Sequence, residues 1–127
     1  MTNDEMPKRK SYDLGERTAK FGERVVLLAR KIPKTVVNIP IISQFISAGT
    51  SVGSNYCEAD NAESKNDFKH KIGICKKEAK EAMYWLRIIA TAEPSLREEA
   101  GELWQEVKEL NLIFSSIVNS AKRKPVS

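Results

Sequence analysis

The side chains of this chain that could act as nucleophile, base or metal ligand are few and scattered: one histidine, His70, and two cysteines, Cys57 and Cys75. A Cys–His nucleophile needs a third group to orient the base and a pocket for the substrate, and neither follows from the spacing here. The cysteines form no C-x-x-C pair, so a zinc site or redox dithiol is not indicated. Both read as small buried residues in a reducing compartment. Di-metal sites in helical bundles take Glu-x-x-His from two helices plus further inward carboxylates. A single histidine preceded by Asp67 does not supply that set, so no metal, no cofactor and no enzymatic activity are expected. His70 itself reads as a surface residue on a helix flank.

Two other features invite a chemical reading. Gly49-Thr50-Ser51-Val52-Gly53-Ser54 looks like a phosphate-cradling loop, but it lacks the Gly-Lys-Ser/Thr ending and the preceding strand. Close packing of a helix against a neighbouring backbone explains such a run of small residues more simply. Asn55 and Glu58 lie near the core side of the same segment. They are expected to form an internal hydrogen-bonding pair that fixes helix register, reaching Ser64, Lys71 or the start of the next helix. With Ser64 and Asp67 they make a structural polar core. A catalytic role for Glu58 would need a partner and a cleft.

Helices must position these residues. At 127 residues, with six Gly, five Pro and 7% aromatic residues, the chain is one domain of helical character. Residues 1–12 carry Pro7 and the run Lys8, Arg9, Lys10 without periodicity, and read as a disordered basic arm. After Asp13, a candidate N-cap, Leu14, Thr18, Phe21, Val25, Leu28 and Ile32 recur in steps of four and three up to Pro33. Asn38 and Pro40 mark the start of a second helix through Ile42, Phe45, Ile46, Gly49, Val52, Tyr56 and Ala59. Ser64 with Asp67 forms a capping-box-like start for a third. Its stripe is Phe68, Ile72, Cys75, Ala79, Ala82, Leu86 and Ile89. Met83, Trp85, Ile88 and Ala90 widen the apolar surface there, and a neighbouring subunit is expected to cover that end. Ser95 with Glu98 repeats the capping pattern before Leu96, Ala100, Leu103, Val107, Leu110, Phe114, Ile117 and Ala121. Residues 122–127 form a basic tail with Lys122, Arg123 and Lys124. The fold class is therefore all-α, an antiparallel up-down-up-down four-helix bundle over residues 13–121.

The net charge is +4, the pI about 9.1, and nucleic acid is the first acidic partner to consider. The charge is unevenly placed. Residues 13–33 carry five basic against three acidic side chains and residues 64–93 seven against four, whereas residues 94–121 carry two against five. On the third helix Lys69, Lys76, Lys80 and Arg87 are seven, four and seven residues apart, forming a basic edge beside the core stripe. Such an edge suits a phosphate backbone, or an acidic face such as Glu99, Glu102, Glu106 and Glu109 of a neighbouring subunit. No apolar run approaches the ~18 residues of a membrane span, and the polar start MTNDEMPKRK is no signal peptide, so a cytoplasmic protein is expected.

The motifs Gly49-Thr50-Ser51-Val52-Gly53-Ser54-Asn55-Tyr56-x-Glu58-Ala59, Ala62-Glu63-Ser64-Lys65-x-Asp67-Phe68-x-x-Lys71-Ile72 and Lys77-Glu78-Ala79-x-Glu81 with Trp85-Leu86 resemble the bacterial proteins encoded by intervening sequences of 23S rRNA genes. The resemblance covers residues 12–121. It implies a four-helix bundle assembling as a homopentamer and associating with ribosomal RNA. A related branch works beside the reverse transcriptase of diversity-generating retroelements. This chain departs from the family pattern at Ser47, where Arg is common, and at Asp60 and Asn61, where basic residues are common. Charge is thereby removed from the hairpin, leaving Lys69, Lys76, Lys80, Arg87, Lys122, Arg123 and Lys124 as the nucleic-acid-binding candidates. The leading expectation is a non-enzymatic, oligomeric, RNA-associated protein. The alternatives are an oligomeric interaction or scaffold module that binds no nucleic acid, and an accessory to a reverse transcriptase. No residue pattern identifies a small-molecule substrate.

Overall fold

The computed structural model describes residues 13–122, with side chains through Ser120. The arm at residues 1–12, the Lys122 side chain, Arg123 and Lys124 lie outside the described residues. Four helices follow one another: α1 (Leu14–Lys31), α2 (Asn38–Asp60), α3 (Lys65–Ala92) and α4 (Arg97–Lys122). A 3-10 turn, Pro94–Leu96, leads into α4.

Local signals account for most of the ends. Asp13 accepts a hydrogen bond from the Glu16 amide at 3.1 Å, and Ser64 accepts one from the Asp67 amide at 3.0 Å, so α1 and α3 are both capped by their side chains. Arg30 and Lys31 sit in the last turn of α1, where the helix dipole favours cations. α2 starts at Asn38 as expected, while the capping at the starts of α2 and α4 differs from what residue type suggests. The capping work expected near Asn38 falls to Thr35, whose hydroxyl accepts from the Asn38 amide at 3.1 Å and whose carbonyl accepts from the Ile39 amide at 2.9 Å. Asn38 instead turns inward and is buried, its side-chain amide donating to the Pro33 carbonyl at 3.0 Å and to Glu93 Oε2 at 2.9 Å. It ties the α1–α2 turn to the C-terminus of α3. Ser95 makes no capping bond, because it lies inside the 3-10 turn that Pro94 initiates.

The apolar stripes meet in one core. Phe21, Phe45, Phe114, Leu28, Ile72, Leu86, Leu103 and Leu110 are among its fully buried side chains. Consecutive helices pack side by side and antiparallel, and α4 returns to lie against α1 along the loosest of the four seams. Met83, Trp85 and Ala90 are partly buried against the bundle's own core, since α3 packs extensively on both α2 and α4. Ile88 is half-buried and Tyr84, between Met83 and Trp85, is 54% exposed, so part of the apolar surface at that end stays uncovered in the single bundle. Exposed large apolar side chains also gather around the α1–α2 turn, at Val26, Leu27, Val36, Val37 and Ile39, and Leu112 is exposed on α4.

The small residues of α2 stay in continuous helix and form a seam, not a loop. A Cβ on Gly49 would stand 2.6 Å from Val25 Cγ2, and one on Gly53 would stand 3.2 Å from the Thr18 carbonyl oxygen. Val25 is fully buried and β-branched, so it has little room to yield. Gly49→Ala should therefore destabilise the bundle by about 1–3 kcal/mol through overpacking. Gly101→Ala, where a Cβ meets nothing within 4 Å, should stabilise it by about 0.5–1 kcal/mol through helix propensity. Denaturant unfolding of the two variants checks the opposite signs.

Candidate nucleic-acid interface

Seven- and four-residue steps are close to whole turns at about 3.6 residues per turn, so Lys69, Lys76, Lys80 and Arg87 fall on one line of α3. Lys69 and Lys76 are half-buried by their stems, while Lys80 and Arg87 are exposed. None of the four pairs with a carboxylate among the described residues. The line borders α4, where Asn111 donates its side-chain amide to the Lys76 carbonyl at 2.9 Å.

The acidic row of α4 is engaged elsewhere. Arg17 holds Glu106 through Nε at 2.9 Å and Glu109 through Nη2 at 2.9 Å, Arg24 meets Glu102 at 3.6 Å, and Lys31 meets Glu99 at 2.8 Å. Basic residues seven apart on α1 thus run antiparallel to acids three and four apart on α4. The hydrogen bond that Arg17 donates to Glu106 is the main reason its guanidinium is held above its ordinary pKa. Glu99, Glu102, Glu106 and Glu109, the acidic face considered above for a neighbouring subunit, are thus paired within the chain itself. The lysine edge of α3 has no acidic partner among the described residues.

The expected reach of Glu58 to Lys71 is present, but the buried Asn55–Glu58 pair is corrected. Glu58 is exposed and pairs with Lys71, at 2.6 Å, across the α2–α3 turn. Asn55 donates to the Ser51 carbonyl of its own helix at 2.9 Å and does not meet Glu58. Ser64 and Asp67 are exposed and do only the capping described above. The stripe of α2 is made by Val52, Tyr56 and Ala59, and Glu58 falls about 100° round the helix from Ala59, on the rim. The buried polar side chains are Thr18, which donates to the Leu14 carbonyl at 2.7 Å, and Asn38.

His70 is exposed, as its flank position suggests. Cys75 is buried, and desolvation pushes its thiol up to about 12. Cys57, expected inside, is exposed, because five residues beyond Val52 put it well away from the core line. Partial burial, with Glu81 nearby, raises the Glu78 carboxyl above its ordinary range. Among the described residues, no group of three or more His, Cys, Asp and Glu side chains is placed to share a metal ion, and no helix is long and apolar enough to cross a membrane.

One set of residues escaped the sequence reading. Arg97, Gly101, Trp104 and Lys108 lie four, three and four apart on α4. Arg97, Gly101 and Trp104 adjoin Arg87 across the α3–α4 groove, and the Lys108 ammonium stands 5.3 Å from the Trp104 ring centroid. The signal was present, as two basic residues, Arg97 and Lys108, in an otherwise acidic stretch of α4 with a tryptophan between them.

A family model described as 23S rRNA-intervening sequence protein matches residues 10–116. Among solved structures, the chain is similar to a protein of unknown function from the S23 ribosomal protein family of Bacteroides thetaiotaomicron VPI-5482. That likeness has 30% identity and a TM-score of 0.73, covering 82% of this chain and 96% of the other. Comparison with curated proteins returns no match.

The two thiols differ enough to be told apart in solution. An aromatic disulfide reagent should modify one cysteine per chain, Cys57, in the native protein and two after denaturation. Peptide mapping would identify the site, and rapid native modification of Cys75 would contradict the packing of α3.

Proposed function

The chain belongs to the 23S rRNA-intervening sequence protein family, and from that premise we propose that it is a self-associating helical bundle that acts by binding structured RNA and not by catalysis. The contacts come from Lys69, Lys76, Lys80 and Arg87. One observation carries this reading: these four cations share one line of α3 without an acidic partner among the described residues, while Glu99, Glu102, Glu106 and Glu109 of α4 are taken up by α1. A polyanion is the partner that such a line favours. Its contacts are to phosphates, which position a nucleic acid without reading its sequence.

The same pairing weighs against a scaffold held together by basic and acidic helices of different subunits. Self-association, the homopentamer implied by the family resemblance, is assigned instead to the apolar side chains around the α1–α2 turn, of which Val36 is 86% exposed.

Fluorescence anisotropy with 23S rRNA fragments across a salt series tests the proposal. Four phosphate contacts predict a slope of log K against log salt of about −3. The double variant Lys76→Glu, Lys80→Glu should weaken binding at least about tenfold at low salt and flatten that slope, with the mass measured by sedimentation unchanged. Salt-insensitive binding, no binding, or dissociation of the assembly in the double variant would each reject it.

A further inference from the structure

We infer that the hollow between α3 and α4 at Trp104 receives an unpaired base of the bound RNA, stacked on the indole, with the adjoining phosphates held by Arg87 and Arg97. This deepens the RNA-binding reading and rests on it.

The hollow has a volume of about 370 Å³, at the small end of the range for ligand pockets. Leu86, Ala90, Ala100 and Gly101 give it apolar walls, Trp104 supplies an aromatic one, and Arg87 and Arg97 complete the lining. No carboxylate lines it. A larger hollow of about 520 Å³ between α1 and α4 is lined by Glu98, Glu99 and Glu102 with Arg24, Leu27 and Ser95, and those acids repel a polyanion. Charge therefore selects the smaller hollow, and its shape selects the part of the nucleic acid that enters. A phosphate gains nothing from apolar walls, whereas a base offers a flat π-face suited to an aromatic ring between cations.

Position on the bundle agrees with this occupant. Arg87 is both the last residue of the basic line and a wall of the hollow, so a strand following Lys76 and Lys80 arrives there with its phosphates already engaged. Ala100 and Gly101 lie one turn before Trp104, on the hollow side, and Lys108 lies one turn after it. Gly101 keeps the space open, since a Cβ there would meet nothing within 4 Å. A base paired in a duplex does not offer its face, so the hollow distinguishes unpaired from paired RNA.

The test uses the full chain with a labelled oligouridylate and an RNA duplex of equal length as probes. Trp104→Ala should weaken binding of the single strand about 5- to 100-fold, the range of one base–aromatic stack, and change duplex affinity less than about twofold. Gly101→Leu, which fills the hollow from an open position without disturbing the core, should reproduce the loss even if Trp104→Ala folds poorly. In a Trp85→Phe background, the oligouridylate should quench the remaining indole emission and the duplex should not. Unchanged single-strand affinity in Gly101→Leu, or binding without quenching, overturns this inference while leaving the lysine edge standing. A change of assembly mass in Gly101→Leu also overturns it, because the hollow is then filled by a second copy of the chain. If neither RNA binds the native protein at low salt, the underlying reading falls and this inference with it.

Discussion

The contact on which the other relations depend is the close approach of α1 and α2 where Val25 lies against Gly49. Helix propensity along Ser47–Ser54 is poor, so this segment is helical because the neighbour it admits rewards burial there. With α1 held tightly on α2, its remaining flank meets α4 only along the loosest seam of the bundle. Ion pairs line that seam. Arg17 and Glu106 are the most sheltered of them, with side chains 25% and 24% exposed. The more exposed pairs add about 0–1 kcal/mol each and set orientation more than stability.

That arrangement determines how the charge can be used. Four acids of α4 pair with α1, and on the other side the basic line of α3 runs beside a groove lined by Arg97 and Trp104, with Lys108 next to the indole. Helix composition alone made α4 look like an acidic surface for another molecule. The folded chain makes it two surfaces, one consumed internally and one basic and aromatic.

Much of the fold was legible because the four-three rhythm is a strong signal. The core residues from Leu14 to Phe114 fell where the periodicity placed them, and the caps at Asp13 and Ser64 followed from residue type. The misreadings share one cause, the difference between lying near a stripe and lying on it. Glu58 and Cys57 are one or two residues from Ala59, yet rotation about the helix axis carries both to the surface. Asn38 opens α2 as its type and the nearby Pro40 suggest, but its side chain turns inward, and only the position of Glu93 shows why. The engagement of Glu99, Glu102, Glu106 and Glu109 was not legible either, since it depends on which helix α4 lies against. The Trp104 hollow needed two helices at once, and no single stripe contains it.

Under the proposed function, the surface left by this internal pairing, and no other, meets RNA. Lysine-directed chemical labelling read by mass spectrometry, with and without a bound 23S rRNA fragment, tests it most directly. Lys69, Lys76, Lys80 and Lys108 should be protected in the complex, while Lys20 on α1 and Lys34 in the α1–α2 turn keep their free reactivity. Equal protection of all six lysines, or protection confined to Lys20 and Lys34, would contradict it.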